Sequence, residues 1–316
     1  MNDTVLLKSD LHQYFLGIDG GGTKTIFRLV NEKGILCKEI RKGSSNPNDI
    51  GMENTLILLK EGIQEVCSPI SYDRITLFAG ISGGGMTGEN AMILKRFFNS
   101  FGFYAFDNGS DLENLISLAD QNPCILVIMG TGFIVYALNG EKRKRIAGWG
   151  QFFDEGGSGY TIGKDVITAV LCESDGSGEK TLLSSLLEKH VGENAEKHLA
   201  EFYRGGKSYI AEFASLAFTA ATQEDAVATR ILEKNMAFVA QKIQTAAEFL
   251  SERDQKEIPV YFSGGISKRH EILFPMIEKH LSNIRLQLIL QKKEPIEGAV
   301  QQAISIYYEK QKGKTS

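Results

Sequence analysis

The sequence predicts an α/β protein of two domains whose mixed sheets are copies of one pattern and face a shared cleft. Three observations carry that expectation. At residues 15–34 an apolar strand runs into the glycine turn DGGGT and returns as an alternating, β-branched strand. At 125–140 the same order of events recurs around MGTGF, which is the mark of an internal duplication. Glycine, at 33 residues, is gathered into short runs rather than spread evenly.

The elements follow in order. Residues 13–19 are a buried strand, 25–31 alternate at period two, and 35–41 continue after the turn NEKG, so the chain opens as an antiparallel meander. A loop, KGSSNPNDIG, precedes a helix that places Met52, Leu56, Leu59, Ile63 and Val66 at helical spacing. RITLFAG (74–80) is a strand, 88–102 a helix and FYAF (103–106) a short strand; FDNG around Asp107 is a turn. Ser110 and Glu113 form a capping-box pattern opening the helix LENLISLAD. CILVIM, FIVYALNG and KRIAGWG are the strands of the second copy. Helices are expected over roughly 158–172, 180–190, 208–221 and 222–253, then a strand at VYFSGG, a last strand at 284–290 and a closing helix from Ile296.

Composition narrows the function classes. A 316-residue chain with 42% apolar residues suits two soluble domains. A net charge of −4 gives no basic field to recruit nucleic acid or an anionic membrane. No stretch reaches the roughly 18–20 apolar residues of a membrane span, and the N-terminus lacks the charged and apolar regions of a signal peptide. A cytoplasmic protein is expected. Cys37, Cys67, Cys124 and Cys172 are scattered, which argues against a zinc site or a disulfide framework.

The glycine runs raise the question of which phosphate loop this is. The P-loop pattern fails: GGKS (205–208) needs a glycine where Glu201 stands, and GKT (313–315) needs one where Tyr308 stands. The dinucleotide pattern fails as well, because a strand rather than a helix follows DGGGT. What remains is a β-hairpin site in which Gly20, Gly21 and Gly22 let the backbone approach phosphate oxygens. Thr23 and Thr25 offer hydroxyls, Lys24 adds charge, and Asp19 is placed to hold a hydrated Mg²⁺. Gly130, Thr131 and Gly132 form the second hairpin, and Gly264 and Gly265 a third glycine element against the adenosine. Together they predict an ATP site.

Seven stretches in order, FLGIDGGGTKT, GSSNPNDIG, AGISGGG, the Asp111 helix, ILVIMGTG, AGWGQFFDEGGSGYTIG and VYFSGGIS, resemble the N-acetylglucosamine kinase group, which also contains the BadF/BadG-type ATPases. The resemblance covers most of the chain and implies the actin-like ATPase (ribonuclease-H-like) fold of the hexokinase-type sugar kinases. It implies an N-terminal domain at 1–118, a C-terminal, mainly nucleotide-binding domain at 119–316, and a final helix, 297–316, that crosses back to the first. It implies ATP and Mg²⁺ as cofactors, lobe closure that excludes water, and a homodimer. Counting back from Gly130, the family's catalytic base falls on Asp111; Asp107 is the nearby competitor. Asn46 matches the family's sugar-binding asparagine, and Gly148, Trp149 and Gly150 its sugar-contacting GWG. Here the chain departs from the family's GDEGS: without gaps the sugar-binding aspartate falls on Glu155, and with a shift of one on Asp154.

The activity implied is ATP-dependent phosphorylation of an amino sugar, N-acetylglucosamine to its 6-phosphate first, with glucosamine, N-acetylmuramic acid or glucose as variants. A second class is an ATPase activating an acyl-CoA reductase or dehydratase, which would need a close cysteine pair that the sequence lacks. A third is a sensor that binds sugar and nucleotide without turnover, against which the full set of base, metal and phosphate candidates argues.

Overall fold

The computed structural model describes residues 13–85, 88–140, 142–250, 257–281 and 285–313. The expected helix end at 251–253, residue 284 of the expected last strand and the polar tail from 314 lie outside these residues. The chain divides into two compact units, Met1–Leu118 with Lys293–Ser316, and Ala119–Lys292.

In the first unit, β1 (Tyr14–Gly20), β2 (Thr25–Asn31) and β3 (Leu36–Lys42) form the antiparallel meander. β4 (Ile75–Ile81) and β5 (Ala105–Gly109) then add in parallel on the other side of β1, giving the order β3-β2-β1-β4-β5. The second unit repeats this design. β6 (Cys124–Met129), β7 (Phe133–Asn139) and β8 (Lys142–Ile146) are the meander, with β9 (Ile258–Ser263) and β10 (Leu286–Leu290) parallel beyond β6, so the order β8-β7-β6-β9-β10 matches the first sheet strand for strand. The duplication read from two glycine hairpins thus extends to whole sheets.

Both faces of the first sheet are covered, which is why β4 is buried at all seven positions. Leu16 and Ile18 face one way, with Phe27, Leu59, Ile63 and Phe98, under α2 (Met52–Cys67) and α3 (Glu89–Asn99). Phe15, Ile26 and Phe78 face the other, against Ile296, Ala299 and Ala303 of α11 (Pro295–Lys312). Glycines set the close approaches. A Cβ on Gly62 would lie 2.3 Å from the Phe27 ring, and one on Gly298 would lie 1.7 Å from the carbonyl oxygen of Asn114. Gly298→Ala must therefore push α11 off its neighbour. Overpacking of this kind costs roughly 1–3 kcal/mol, read as a fall in the urea midpoint; an unchanged midpoint would contradict the packing.

In the second unit the 25-residue helix α9 (Ala226–Leu250) lays Met236, Val239, Ile243, Ala246 and Leu250 into a core shared with Val127, Val135 and Phe262. Among the described residues no helix is long and apolar enough to cross a membrane.

Some local expectations are corrected. FDNG is the end of β5 rather than a turn: pairing of Phe78–Gly80 with Asp107–Gly109 holds it extended, and exposed Asp107 lies 3.5 Å from Lys95. The strand expected through GWG stops at Ile146. The helix α10 (His270–Glu278), which carries Pro275 in its interior, is not among the expected elements.

Candidate active site

The first glycine hairpin joins β1 to β2. Gly21 N–H donates to the Lys24 carbonyl at 2.9 Å and closes the turn. The Gly20 and Gly21 carbonyls accept from the Ser82 and Ser45 N–H groups at 2.7 and 3.2 Å, so these acceptors are tied into the fold. A Cβ on Gly20 would lie 2.3 Å from the Ser45 hydroxyl, which explains the glycine there. Thr23 and Lys24 are exposed. Thr25 is not available to a ligand: it is buried, and its hydroxyl donates to the Gly43 carbonyl at 2.8 Å.

Asp19 is the penultimate residue of β1. Burial pushes its carboxyl up to about 7; the hydrogen bond from Asn114 and the Lys24 charge oppose the shift, and the charges of Asp111 and Glu294 add to it. The Asn114 amide donates to Asp19 Oδ1 at 2.7 Å. Asn114 is wholly buried, and its own Oδ1 accepts no hydrogen bond among the described residues. No local signal in the sequence singles this residue out, because its partner lies on another element. Asp111 opens α4 (Asp111–Ile116). The capping box expected beside it is not made: Ser110 forms no side-chain bond to the helix. Glu113 is buried instead, with Cγ 2.7 Å from a Cβ position on Gly109. The fold thus brings Asp19, Lys24 and Asp111 into one electrostatic neighbourhood.

This donor set suits Mg²⁺. Among the described residues no three His, Cys, Asp or Glu side chains converge enough to hold an ion by themselves. Mg²⁺ ordinarily keeps several waters and one or two carboxylates alongside substrate phosphates, and a carboxylate that resists ionisation without a cation fits that use.

Asn46 caps α1 (Pro47–Ile50). Its Oδ1 accepts from the Asn48 N–H at 3.0 Å, and its amide donates to Asp49 at 2.8 Å. The loop carrying it is fastened to the first hairpin through Ser44 and Ser45, both bonded to the Gly21 carbonyl.

In the second unit three glycine segments meet at the ends of β6 and β9. The Gly130 N–H donates to the Gly132 carbonyl at 2.9 Å, and Gly159 N–H, at the start of α5 (Gly159–Ser174), donates to the Gly130 carbonyl at 2.7 Å. A Cβ on Gly264 would stand 2.3 Å from the Met129 carbonyl oxygen, and its φ of +100° is itself a glycine conformation. The expected cluster of Gly130, Thr131, Gly132 and Gly264 is therefore assembled, with exposed Gly265 next in the chain. Ser158 caps α5 in a capping box with Thr161, and Asn235 of α9 accepts from both the Gly157 N–H and the Thr161 hydroxyl, fixing this end of the helix.

The GWG loop has positive φ at three of its positions: Ala147, Gly148 and Gly150, at +62°, +79° and +106°. Asp154 holds it. Its two carboxylate oxygens accept from the Gly148 and Gly150 N–H groups at 3.2 and 2.9 Å, and it is 9% exposed, whereas Glu155 is exposed. Trp149, 61% exposed, stacks under the Arg145 guanidinium at 4.6 Å.

The cysteines offer little to an iron–sulfur cluster. Cys67 and Cys124 are buried in separate units, and burial pushes both thiols up to about 12, so both stay protonated.

A model of the BadF/BadG/BcrA/BcrD ATPase family matches residues 16–303. The chain is 29% identical over 300 residues to the N-acetylmuramic acid/N-acetylglucosamine kinase of Clostridium acetobutylicum, covering 91% of this chain and 97% of that protein. It is 25% identical over 287 residues to the N-acetyl-D-glucosamine kinase of Dictyostelium discoideum, covering 85% and 90%. Among solved structures, a candidate N-acetylglucosamine kinase from Chromobacterium violaceum matches with a TM-score of 0.73 at 22% identity, over 92% of this chain and 99% of that one. The fold is shared with that structure and, at a TM-score of 0.63 and 13% identity over 93% of this chain and 99% of that one, with a ROK family glucokinase from Streptomyces griseus.

Proposed function

The chain belongs to the BadF/BadG/BcrA/BcrD ATPase family, and from that membership we propose that it is an ATP-dependent kinase of an amino sugar, with N-acetylglucosamine the first substrate to test and N-acetylmuramic acid and glucosamine the next. The observation that carries phosphoryl transfer is the acidic pair Asp19 and Asp111 beside the glycine hairpin. The substrate class rests on relatives that align along nearly their whole length.

In this reading Asp111 orients a sugar hydroxyl and takes its proton as the hydroxyl oxygen bonds to the γ-phosphorus and the bond to the β-phosphate oxygen breaks, releasing ADP. The transition state is loose, so the base mainly positions the nucleophile and accepts the proton late. Asp19, steadied by Asn114, is the residue that would hold Mg²⁺ through its waters. Bound there, the ion supplies charge neutralisation to the phosphates. The glycines at 20–22 in the first unit, and separately Gly130 and Gly132 in the second, lack side chains that would keep a phosphate oxygen from the backbone. Trp149 offers an indole face to a sugar ring. Asp154 shapes the loop that carries it, which leaves exposed Glu155, the ungapped match to the family's aspartate, as the carboxylate for ring hydroxyls.

The test is ADP release from ATP and Mg²⁺ over a panel of amino sugars and hexoses. Stimulation by one or more amino sugars above glucose is expected. A flat panel would overturn the assignment.

A further inference from the structure

The segment GGKS at 205–208 fails as a P-loop in the sequence, yet the fold brings its lysine to a phosphate turn. The helix α7 (Leu199–Glu212) breaks at Gly206, where φ is +66° and ψ −165°. The break redirects the chain, so that Lys207 Nζ stands 3.4 Å, and its Cε 4.0 Å, from the position of a Cβ on Gly132. Gly132 closes the Gly130–Gly132 turn. All three carbonyls of that turn are already acceptors: Gly130 from the Gly159 N–H, Thr131 from the Tyr160 N–H, Gly132 from the Gly130 N–H. Each carbonyl of the turn thus already takes part in holding the turn or docking α5, and no hydrogen bond from the Lys207 ammonium is among those of the described residues. The nearby Arg204 is paired with Glu201 at 2.5 Å, whereas Lys207 makes no ion pair among the described residues. A partly buried cation with no ion pair among the described residues thus stands over the glycine turn, an arrangement complementary to an anion.

We propose that Lys207 binds a non-bridging phosphate oxygen of the nucleotide held at the Gly130–Gly132 turn, and so sets affinity for the polyphosphate rather than for the base. This rests on the kinase reading, which requires a nucleoside triphosphate site in this unit. A charge-assisted hydrogen bond from an ammonium to phosphate is among the stronger polar contacts available in water, and losing one typically weakens binding by about tenfold or more.

The experiment is calorimetric titration of the full-length protein, wild type, Lys207→Met and Lys207→Arg, with ADP and separately with adenosine. Lys207→Met should weaken ADP binding about tenfold or more while leaving adenosine binding unchanged, and Lys207→Arg should restore most of the ADP affinity. Unchanged adenosine binding also establishes that the variant is folded. Equal ADP affinity in Lys207→Met and wild type overturns the assignment of Lys207 alone. Absence of ADP binding by the wild type overturns the kinase reading and this proposal with it.

Discussion

Replacing Asp111 by Asn is expected to lower kcat by about 10²–10⁴-fold, the range that a positioned general base contributes, while ADP still binds and the protein still melts near the wild-type temperature. The structural alternative predicts something else. Asp111 is the first residue of α4, where a carboxylate helps the helix dipole, but that contribution is only about 0.3–1 kcal/mol at an exposed terminus. A variant with full turnover and a slightly lower melting temperature would reduce Asp111 to a helix-terminus residue. Loss of turnover with intact nucleotide binding identifies the base. It also excludes the sensor reading, in which the wild type would show no turnover to lose.

Replacing Asp19 by Asn should move activity and stability in opposite directions. The Asp19 carboxyl is pushed up to about 7 from an ordinary 3.8. A carboxylate raised in the folded state favours folding most below its unfolded pKa, and that contribution is lost as pH rises to the folded value. In the ligand-free protein, the stability advantage of Asp19→Asn over wild type should therefore grow from about pH 4 to about pH 7 and level off above. The shift corresponds to about 4 kcal/mol at most; with solvent reaching the strand end, a gain of roughly 1–2 kcal/mol is expected. Asn can still accept the hydrogen bond from Asn114, so the geometry is kept. The same variant lacks the charge to hold Mg²⁺, so kcat/KM for Mg-ATP should fall by about 10²-fold or more. Melting curves in EDTA from pH 4 to 8, beside steady-state kinetics, read both effects. A variant that is less stable at pH 8 yet fully active would make Asp19 a structural residue.

Much of the fold is legible in the chain because its signals are local. The β-branched run at 25–31, the apolar run at 124–129 and the glycine turns after each first strand mark the two meanders and their duplication, although β2 is buried on both faces rather than alternating as expected. What escaped has a physical reason in each case. FDNG carries turn residues, but pairing with β4 overrides that preference and keeps it extended. Pro275 hides α10, since proline normally marks a helix end rather than its interior.

The site divides the same way. Asp19 and the glycines are found because they abut a strand end. Asn114 and Lys207 are not, because what gives each its place is a partner far away in sequence: Asp19 for one, the Gly132 turn for the other. The GWG loop lies between these cases. Its residues are recognisable, but spacing alone leaves Asp154 and Glu155 equivalent. Only the loop's path, with positive φ at Ala147, Gly148 and Gly150, turns two N–H groups toward the buried Asp154 and leaves Glu155 in solvent.

The most direct measurement is a phosphorus NMR record of the reaction products. The full-length protein is incubated with ATP, Mg²⁺ and N-acetylglucosamine, and the spectrum is followed against a control without sugar. Sugar phosphorylation predicts ADP and a sugar phosphate ester appearing in equal amounts, with little ADP or free phosphate in the control. ADP and inorganic phosphate forming at the same rate with and without sugar, and no phosphate ester with any amino sugar of the panel, would contradict it.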